Sequence, residues 1–256
     1  MRVIARRRVF AAGGIAAIAA APSLVRKIAE QLAPLPDFEP MGDPPGFRRV
    51  SGGSISAGGN PFVGLDGASD TSLDLPIADV REDICGALFG NEPLAGDTVP
   101  VASFSDFYCP YCRIQTKELA DLEDRMGGGI KMVWHELPLL GDASILAAKA
   151  ALAAKRQGAY VRFQERLIST PFRATPGYLE ALSESIDVSY PQLMADMDSE
   201  EVLQEIRTST ALAEIFGFVG TPALVIGKTV IQGQTSTSTL EDIVNLERTE
   251  GWSRVC

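Results

Sequence analysis

The sequence Cys109-Pro-Tyr-Cys112 places two cysteines at the junction of a predicted strand and a predicted helix. Residues 99–104 are apolar and β-prone, whereas residues 113–126 carry apolar side chains near helical spacing. Pro110 suits the first position of a helix, where its missing N–H costs nothing. The pattern therefore predicts that Cys109 lies at the N-terminus of the helix and that Cys112 lies one turn further in.

This position favours thiol–disulfide chemistry. The free N–H groups and the dipole of a helix N-terminus stabilise a thiolate at Cys109, and Cys112 is close enough to close a small disulfide ring. A zinc site would need further ligands, but the chain has one histidine, His135, and two isolated cysteines, Cys85 and Cys256. A purely structural disulfide across two residues of a helix would be strained. We therefore predict a redox-active disulfide with no metal and no further cofactor.

The first 21 residues have the composition of an export signal. Four arginines precede a short apolar run of small residues that is too short to span a bilayer comfortably, and Arg7-Arg8 resembles a twin-arginine motif. An uncleaved anchor or an amphipathic helix is the alternative. Export agrees with the cysteine usage, because disulfide chemistry belongs to oxidising compartments. The expected location is the periplasm, with a membrane tether if the signal is not cut.

Two further segments follow the predicted signal. Residues 22–75 are predicted to be a linker, because residues 33–75 are rich in Pro, Gly, Ser and Asp. Residues 76–256 are predicted to form the folded domain. The formal net charge of −10, with no basic patch outside the N-terminus, makes nucleic acid an unexpected partner.

Within the domain, residues from about 142 to 216 form a helical pattern between two strand patterns. Ser144 is a candidate N-cap of the first helix, and Thr175-Pro176 is a cap followed by a first-turn proline. A predicted hairpin and a C-terminal helix follow this insertion. His135, after the strand that precedes the insertion, has two open interpretations: a base near the cysteines, or a histidine that is simply hydrogen-bonded.

Together, the Cys-Pro-Tyr-Cys junction, the long helical insertion and Gly220-Thr-Pro222 before a hairpin resemble the DsbA-like form of the thioredoxin fold. The resemblance covers residues 76–250. It implies an α/β fold, a thioredoxin-like domain with an inserted helical subdomain. It also implies a thiol–disulfide oxidoreductase.

The resemblance assigns roles to individual residues. Cys109 would attack and form the mixed disulfide, and Cys112 would resolve it. Thr221 and a cis Pro222 would present backbone groups to a substrate peptide lying alongside. Pro110 and Tyr111 would tune the pair.

Two departures from the family leave the direction of electron flow open. Strongly oxidising members often have histidine where Tyr111 stands, and Ser103 occupies the position of a common buried acid. The expected function is an exported, monomeric oxidase that donates its disulfide to folding proteins with cysteines and is reoxidised by a membrane redox partner. The alternatives are an isomerase or reductase kept reduced by a membrane partner, and a non-catalytic thiol or copper carrier.

The remaining cysteines, Cys85 and Cys256, are predicted to form a structural disulfide, because an exported protein seldom leaves two thiols free. Two alternatives remain open. Cys85 could be a small buried residue beside an unpaired Cys256, or Cys256 could transfer electrons to Cys109.

Overall fold

A computed structural model describes residues 35, 37–58, 75–252 and 255–256 of the chain. The predicted export signal, residues 1–21, lies outside the described residues, as do residues 22–34 and 59–74 of the predicted linker. None of the helices in the described part of the chain is long and apolar enough to cross a membrane.

A mixed sheet of six strands forms the centre of the described structure, in the order β1-β2-β6-β5-β3-β4. The central strand β3 is buried along its whole length, pairs in parallel with β4 and pairs in antiparallel fashion with β5. Strand β2 pairs in parallel with β6, at the other side of the sheet. The strands are β1 Glu39–Pro40, β2 Arg48–Ser51, β3 Val99–Ser105, β4 Ile130–Glu136, β5 Ala223–Ile226 and β6 Thr229–Gln232.

Nine α-helices lie in the described ranges. Two short helices precede β3, a long helix connects β3 with β4, five helices form the insertion between β4 and β5, and one helix follows the sheet. They are α1 Ile77–Glu82, α2 Ile84–Phe89, α3 Pro110–Met126, α4 Asp142–Arg156, α5 Tyr160–Ser169, α6 Pro176–Ser185, α7 Tyr190–Asp196, α8 Glu200–Phe216 and α9 Thr237–Glu250.

Two hydrophobic clusters hold these elements together. One cluster fills the helical insertion, with Phe163 and Leu193 fully buried among its members. The other packs helices α1, α2 and α8 against one face of the sheet and includes Phe104 of β3 and Phe216 of α8. The predicted thioredoxin-like fold with an inserted helical subdomain is confirmed.

Local signals in the sequence explain where several helices begin and end. Helix α3 ends at Gly127, whose φ of 54° is the left-handed conformation that glycine adopts without steric cost. Thr175 caps α6 by accepting a hydrogen bond from the Tyr178 N–H, with Pro176 in the first turn. Ser144 is not a cap, because α4 begins two residues earlier, at Asp142.

The structure differs from the sequence-based boundary at residues 22–75. Arg48–Ser51, within the predicted linker, forms β2 and extends the sheet beside β6. Phe47 and Val50 are buried, and the ring of Phe47 packs edge-on against Phe216 with centroids 5.0 Å apart. Two buried apolar side chains in a Gly- and Pro-rich segment produce no strand periodicity, so the pairing was not visible in the sequence.

Candidate active site

Cys109 and Cys112 lie at the first turn of α3, where the chain leaves the buried end of β3. Cys109 is the N-cap residue, and its Sγ accepts a hydrogen bond from the backbone N–H of Cys112 at 3.2 Å. Pro110 occupies the first turn and is exposed, and Tyr111 is half-buried. Both cysteines are free thiols and buried, with side-chain exposures of 0% for Cys109 and 3% for Cys112.

The two thiols have opposite acidities. The pKa of Cys109 is lowered to about 5 against the opposing effect of burial, chiefly by the hydrogen bond from the Cys112 side chain and to a smaller extent by the Ser56 side chain. Burial, followed by the hydrogen bond to Cys109, raises the pKa of Cys112 far above its ordinary value. At neutral pH the pair therefore consists of one thiolate and one thiol, which is the arrangement that thiol–disulfide exchange requires.

The loop before β5 faces this pair. The Thr221–Pro222 peptide bond is cis, and the carbonyl oxygen of Thr221 lies 3.3 Å from the Cys109 Sγ. The register of the sheet accounts for this placement, because Ala223 at the start of β5 is paired with Phe104 near the end of β3. Residues 112 positions apart in the sequence are thus brought together.

Ser56 is a site residue that sequence reasoning missed. It belongs to the segment after β2, and it forms an isolated antiparallel bridge with Thr221. Its side chain is also one of the groups that lower the pKa of Cys109. No local signal identifies it, because it lies in a run of Ser and Gly that has the composition of a linker.

Asp106, three residues before Cys109, organises the loop that leads into the insertion. Its carboxylate accepts hydrogen bonds from the backbone N–H of Leu139 and Leu140, at 2.8 and 3.0 Å, and from the Ser144 hydroxyl at 2.8 Å. A fourth hydrogen bond comes from the Tyr108 N–H at 2.8 Å. The side chain is 1% exposed. Asp106 is therefore a structural anchor for the wall of the site.

His135 is a hydrogen-bonded core residue. Its Nε2 lies 2.9 Å from the Leu88 carbonyl oxygen, its Nδ1 lies 3.2 Å from the Ser209 Oγ, and its ring stacks on Phe104. Burial lowers the pKa of His135 to about 4. The imidazole is therefore neutral near pH 7, with both ring nitrogens engaged by Leu88 and Ser209.

Glu136, the next residue of β4, is a buried acid. Its Oε1 accepts a hydrogen bond from the Tyr160 hydroxyl at 2.5 Å, and its Oε2 has no hydrogen-bond partner among the residues that the structure describes. Burial raises the pKa of Glu136 to about 8. The carboxyl is therefore mostly protonated at neutral pH.

The other two cysteines lie apart from this pair. Cys85 on α2 and Cys256 form a disulfide, with Cα atoms 5.5 Å apart. In this structure Cys256 is therefore not a free thiol that could reach Cys109. In the described part of the chain, no cluster of three or more His, Cys, Asp or Glu residues could hold a metal ion.

A thioredoxin-like sheet, a thiolate at a helix N-terminus and a facing cis-proline loop define the class of thioredoxin-fold thiol–disulfide oxidoreductases. Residues 100–245 match the family described as the DSBA-like thioredoxin domain. The chain belongs to this DsbA-like family, whose members catalyse thiol–disulfide exchange through a redox-active disulfide and without a cofactor.

Solved structures agree with this assignment. A thioredoxin-like oxidoreductase from Silicibacter pomeroyi DSS-3 is 35% identical, with a TM-score of 0.59 over 64% of this chain and 97% of that chain. The thiol–disulfide exchange protein alpha-DsbA2 from Wolbachia pipientis is 23% identical, with a TM-score of 0.57 over 66% of this chain and 94% of that chain. At that identity, the second comparison shows the fold alone.

Among curated proteins, the chain also matches the Na(+)/H(+) antiporter NhaA of Herminiimonas arsenicoxydans, with 23% identity over 148 residues, 58% of this chain. The match covers 24% of the length of this antiporter, and the chain spans about a quarter of the length of the curated relatives it matches.

Proposed function

We propose that this protein is an exported thiol–disulfide oxidoreductase that acts as an oxidase and donates the Cys109–Cys112 disulfide to folding proteins. The observation that carries the proposal is the place of Cys109 at the N-terminus of α3, where its Sγ accepts a hydrogen bond from the Cys112 N–H at 3.2 Å and its pKa is lowered to about 5. A stabilised thiolate stabilises the reduced pair, and a pair that is stable when reduced is a strong oxidant when it is a disulfide.

The proposed reaction has two exchange steps. A substrate thiolate attacks the Cys109 Sγ, the bond to Cys112 breaks, and Cys112 takes up a proton because its pKa is raised. A second substrate thiolate then attacks the substrate sulfur of the mixed disulfide and releases Cys109 as a thiolate. Two substrate thiols are oxidised to a disulfide and the enzyme pair is reduced. The low pKa of Cys109 makes it the better leaving group in the second step.

Thr221 and Pro222 are proposed to bind the substrate peptide through backbone groups, as in strand addition. Pro110 and Tyr111 are proposed to tune the pair, Pro110 by starting the helix that carries it. Family members exchange disulfides with substrate proteins and with membrane redox proteins, so we propose a membrane partner that reoxidises the cysteines.

Residues 1–21 are proposed to direct export to the periplasm, and residues 76–256, together with β2 and the segment through Ser56, are proposed to form the catalytic domain. A periplasmic thioredoxin-like protein from Salmonella enterica serovar Typhimurium, 26% identical with a TM-score of 0.55, supports this location.

The test is a redox titration of Cys109 and Cys112 against glutathione. We expect a potential more positive than about −180 mV, the value of protein disulfide isomerase, and on the side of DsbA at about −120 mV. The oxidised protein should also convert a reduced peptide with two cysteines into its disulfide, and Cys109→Ser should abolish this activity. A potential near −270 mV, as in thioredoxin, would exclude the oxidase and favour a reductase. Stoichiometric copper without turnover would favour a carrier.

A further inference from the structure

The segment Gly52–Gly58 runs from the end of β2 across the candidate active site. Near its start, it exchanges hydrogen bonds with the chain after β6: the Gly53 N–H donates to the Gln234 carbonyl at 2.9 Å, and the Gln234 N–H donates to the Ser54 carbonyl at 3.0 Å. It then reaches the loop that holds Thr221. We call it the covering segment.

The covering segment uses both backbone groups of Thr221. The Ser56 N–H donates to the Thr221 carbonyl at 2.7 Å, and the Thr221 N–H donates to the Ser56 carbonyl at 2.9 Å. These are the groups that the proposed function reserves for a substrate peptide. Because each forms a strand-type hydrogen bond within the chain, a second peptide cannot form the same pair of bonds at the same time.

Ser56 lies beside the reactive cysteine. It is bridged to Thr221, whose carbonyl oxygen lies 3.3 Å from the Cys109 Sγ, and the Cys109 side chain has no exposed surface. Serine has the shape of cysteine with oxygen in place of sulfur. Ser56 therefore occupies the position, opposite Thr221 and beside Cys109, that the reacting cysteine of an extended substrate would need.

The packing of the covering segment is close. A Cβ atom at Gly58 would lie 1.9 Å from the Leu139 carbonyl oxygen, and one at Gly220 would lie 2.6 Å from the Ser56 carbonyl oxygen. Any larger residue at these positions would have to move the segment. Close backbone approach of this kind requires glycine.

We propose that Gly52–Gly58 is an intramolecular pseudosubstrate, with Ser56 at the position of the substrate's reacting cysteine, and that a cysteine-containing peptide reaches Cys109 only when this segment detaches. This role rests on the proposed function. It specifies the register in which a substrate peptide pairs with Thr221, and it makes the covering segment a competitor of that peptide. A seven-residue segment of Gly, Ser, Ile and Ala buries little apolar surface, so larger substrate side chains can displace it. The apparent substrate affinity is reduced by the fraction of molecules in which the site is open.

The first test places a thiol at position 56. In a Cys112→Ser background, Ser56→Cys should form a disulfide with Cys109 when oxidised glutathione is added: the two thiols lose two electrons and two protons, and one oxidised glutathione becomes two reduced glutathiones. Peptide mapping of the non-reduced protein identifies the product. Ser54→Cys, two residues away and exposed, is the matched control and should yield mainly the glutathione adduct. Equal coupling from positions 54 and 56, or none from 56, would overturn the register.

The second test loosens the covering segment without changing Cys109. Gly58→Ala should raise the rate at which oxidised protein reacts with a reduced two-cysteine peptide about tenfold, equivalent to ~1.4 kcal/mol of lost segment binding. Gly42→Ala is the control, because a Cβ at Gly42 would meet nothing within 4 Å. Equal rates for Gly58→Ala, Gly42→Ala and the unchanged protein would overturn the pseudosubstrate.

The glutathione titration separates the two proposals. If the covering segment is not a competitor, the pair keeps an oxidising potential while Gly58→Ala has no effect. If the oxidase function is wrong, the potential lies near −270 mV, although position 56 still couples to Cys109.

Discussion

Two sulfurs in the first turn of α3 lie in different electrostatic environments. Cys109 accepts hydrogen bonds at the helix N-terminus, whereas Cys112 is buried one turn in, keeps its proton and donates a hydrogen bond to Cys109. The Cys109 sulfur is therefore suited to be attacked and to leave as a thiolate, and the Cys112 sulfur is suited to stay protonated. A helix N-terminus alone gives part of this difference, and the Cys112 donor gives the largest part.

Replacing Cys112 tests the source of the low pKa. Cys112→Ser keeps a donor and should leave the pKa of Cys109 close to about 5, whereas Cys112→Ala removes the hydrogen bond that has the largest effect and should raise it. Thiolate absorbance at 240 nm, followed against pH, measures both. If the two variants titrate alike, the side-chain hydrogen bond is not the cause.

Glu136 makes stability depend on pH. Its pKa is raised by burial to about 8 in the folded protein, against about 4.3 in an unfolded chain. The folded state therefore holds a proton that the unfolded state loses, and the stability present below pH ~4.3 falls as pH rises through about 8.

Glu136→Gln mimics the neutral acid and removes this dependence. We expect the variant to be more stable than the unchanged protein at pH 9, by about 1–3 kcal/mol, and closest to it at pH 4. Urea unfolding at the two pH values measures the difference. An advantage that is constant with pH would show that Glu136 does not titrate in this way.

At the scale of elements, Asp106 joins the end of β3 to the start of the insertion. Its carboxylate receives hydrogen bonds from the Leu139–Leu140 backbone and from Ser144 in the first turn of α4. Without it, buried donors on two elements would be left unpaired, at a cost of about 1–3 kcal/mol for each group.

Asp106→Ala should therefore lower the free energy of unfolding by about 3 kcal/mol or more. Asp106→Asn keeps part of the acceptor set and should cost less. Asp121→Ala, at an exposed position of α3, should change stability by no more than ~0.5 kcal/mol. Chemical denaturation of the three variants provides the ranking, and a loss in Asp106→Ala as small as that in Asp121→Ala would contradict the anchoring role.

Elements with local signals could be predicted from the sequence, and contacts without them could not. Helix α3 has its first-turn proline and its terminal glycine in the sequence, and the cysteines lie beside the proline. The position of Ser56 depends on pairing with Thr221 across more than 160 residues. Backbone groups alone make this pairing. A Ser- and Gly-rich segment therefore carries no periodic pattern of side chains from which the pairing could be predicted.

At the scale of the whole molecule, two links join distant parts of the chain. Arg48 of β2 forms an ion pair of 2.6 Å with Glu247 of α9, whose side chain is fully buried. The disulfide between Cys85 and Cys256 joins α2 to the C-terminal residue across a sequence separation of 171. Neither link involves Cys109 or Cys112.

Removing the disulfide with Cys85→Ala and Cys256→Ala should destabilise the protein. A closed loop of this length predicts roughly 5 kcal/mol on the chain-entropy model, and 2–5 kcal/mol is the usual range. Urea unfolding of the oxidised proteins measures the loss, while the glutathione titration of Cys109 and Cys112 should be unchanged. Peptide mapping of the unchanged protein should show the Cys85–Cys256 linkage, and two alkylatable thiols would refute it.

The pairing of β2 with β6 has a consequence for how the site opens. Since β2 stays in the sheet through Ser51, a detached Gly52–Gly58 remains tethered there, with a reach of about 24 Å for seven extended residues. Closing is then intramolecular, and the tether keeps the effective concentration of the segment at the site high, in the millimolar range for short flexible chains. The closed state should therefore persist at any dilution of the protein, and only the concentration of substrate thiols would open it.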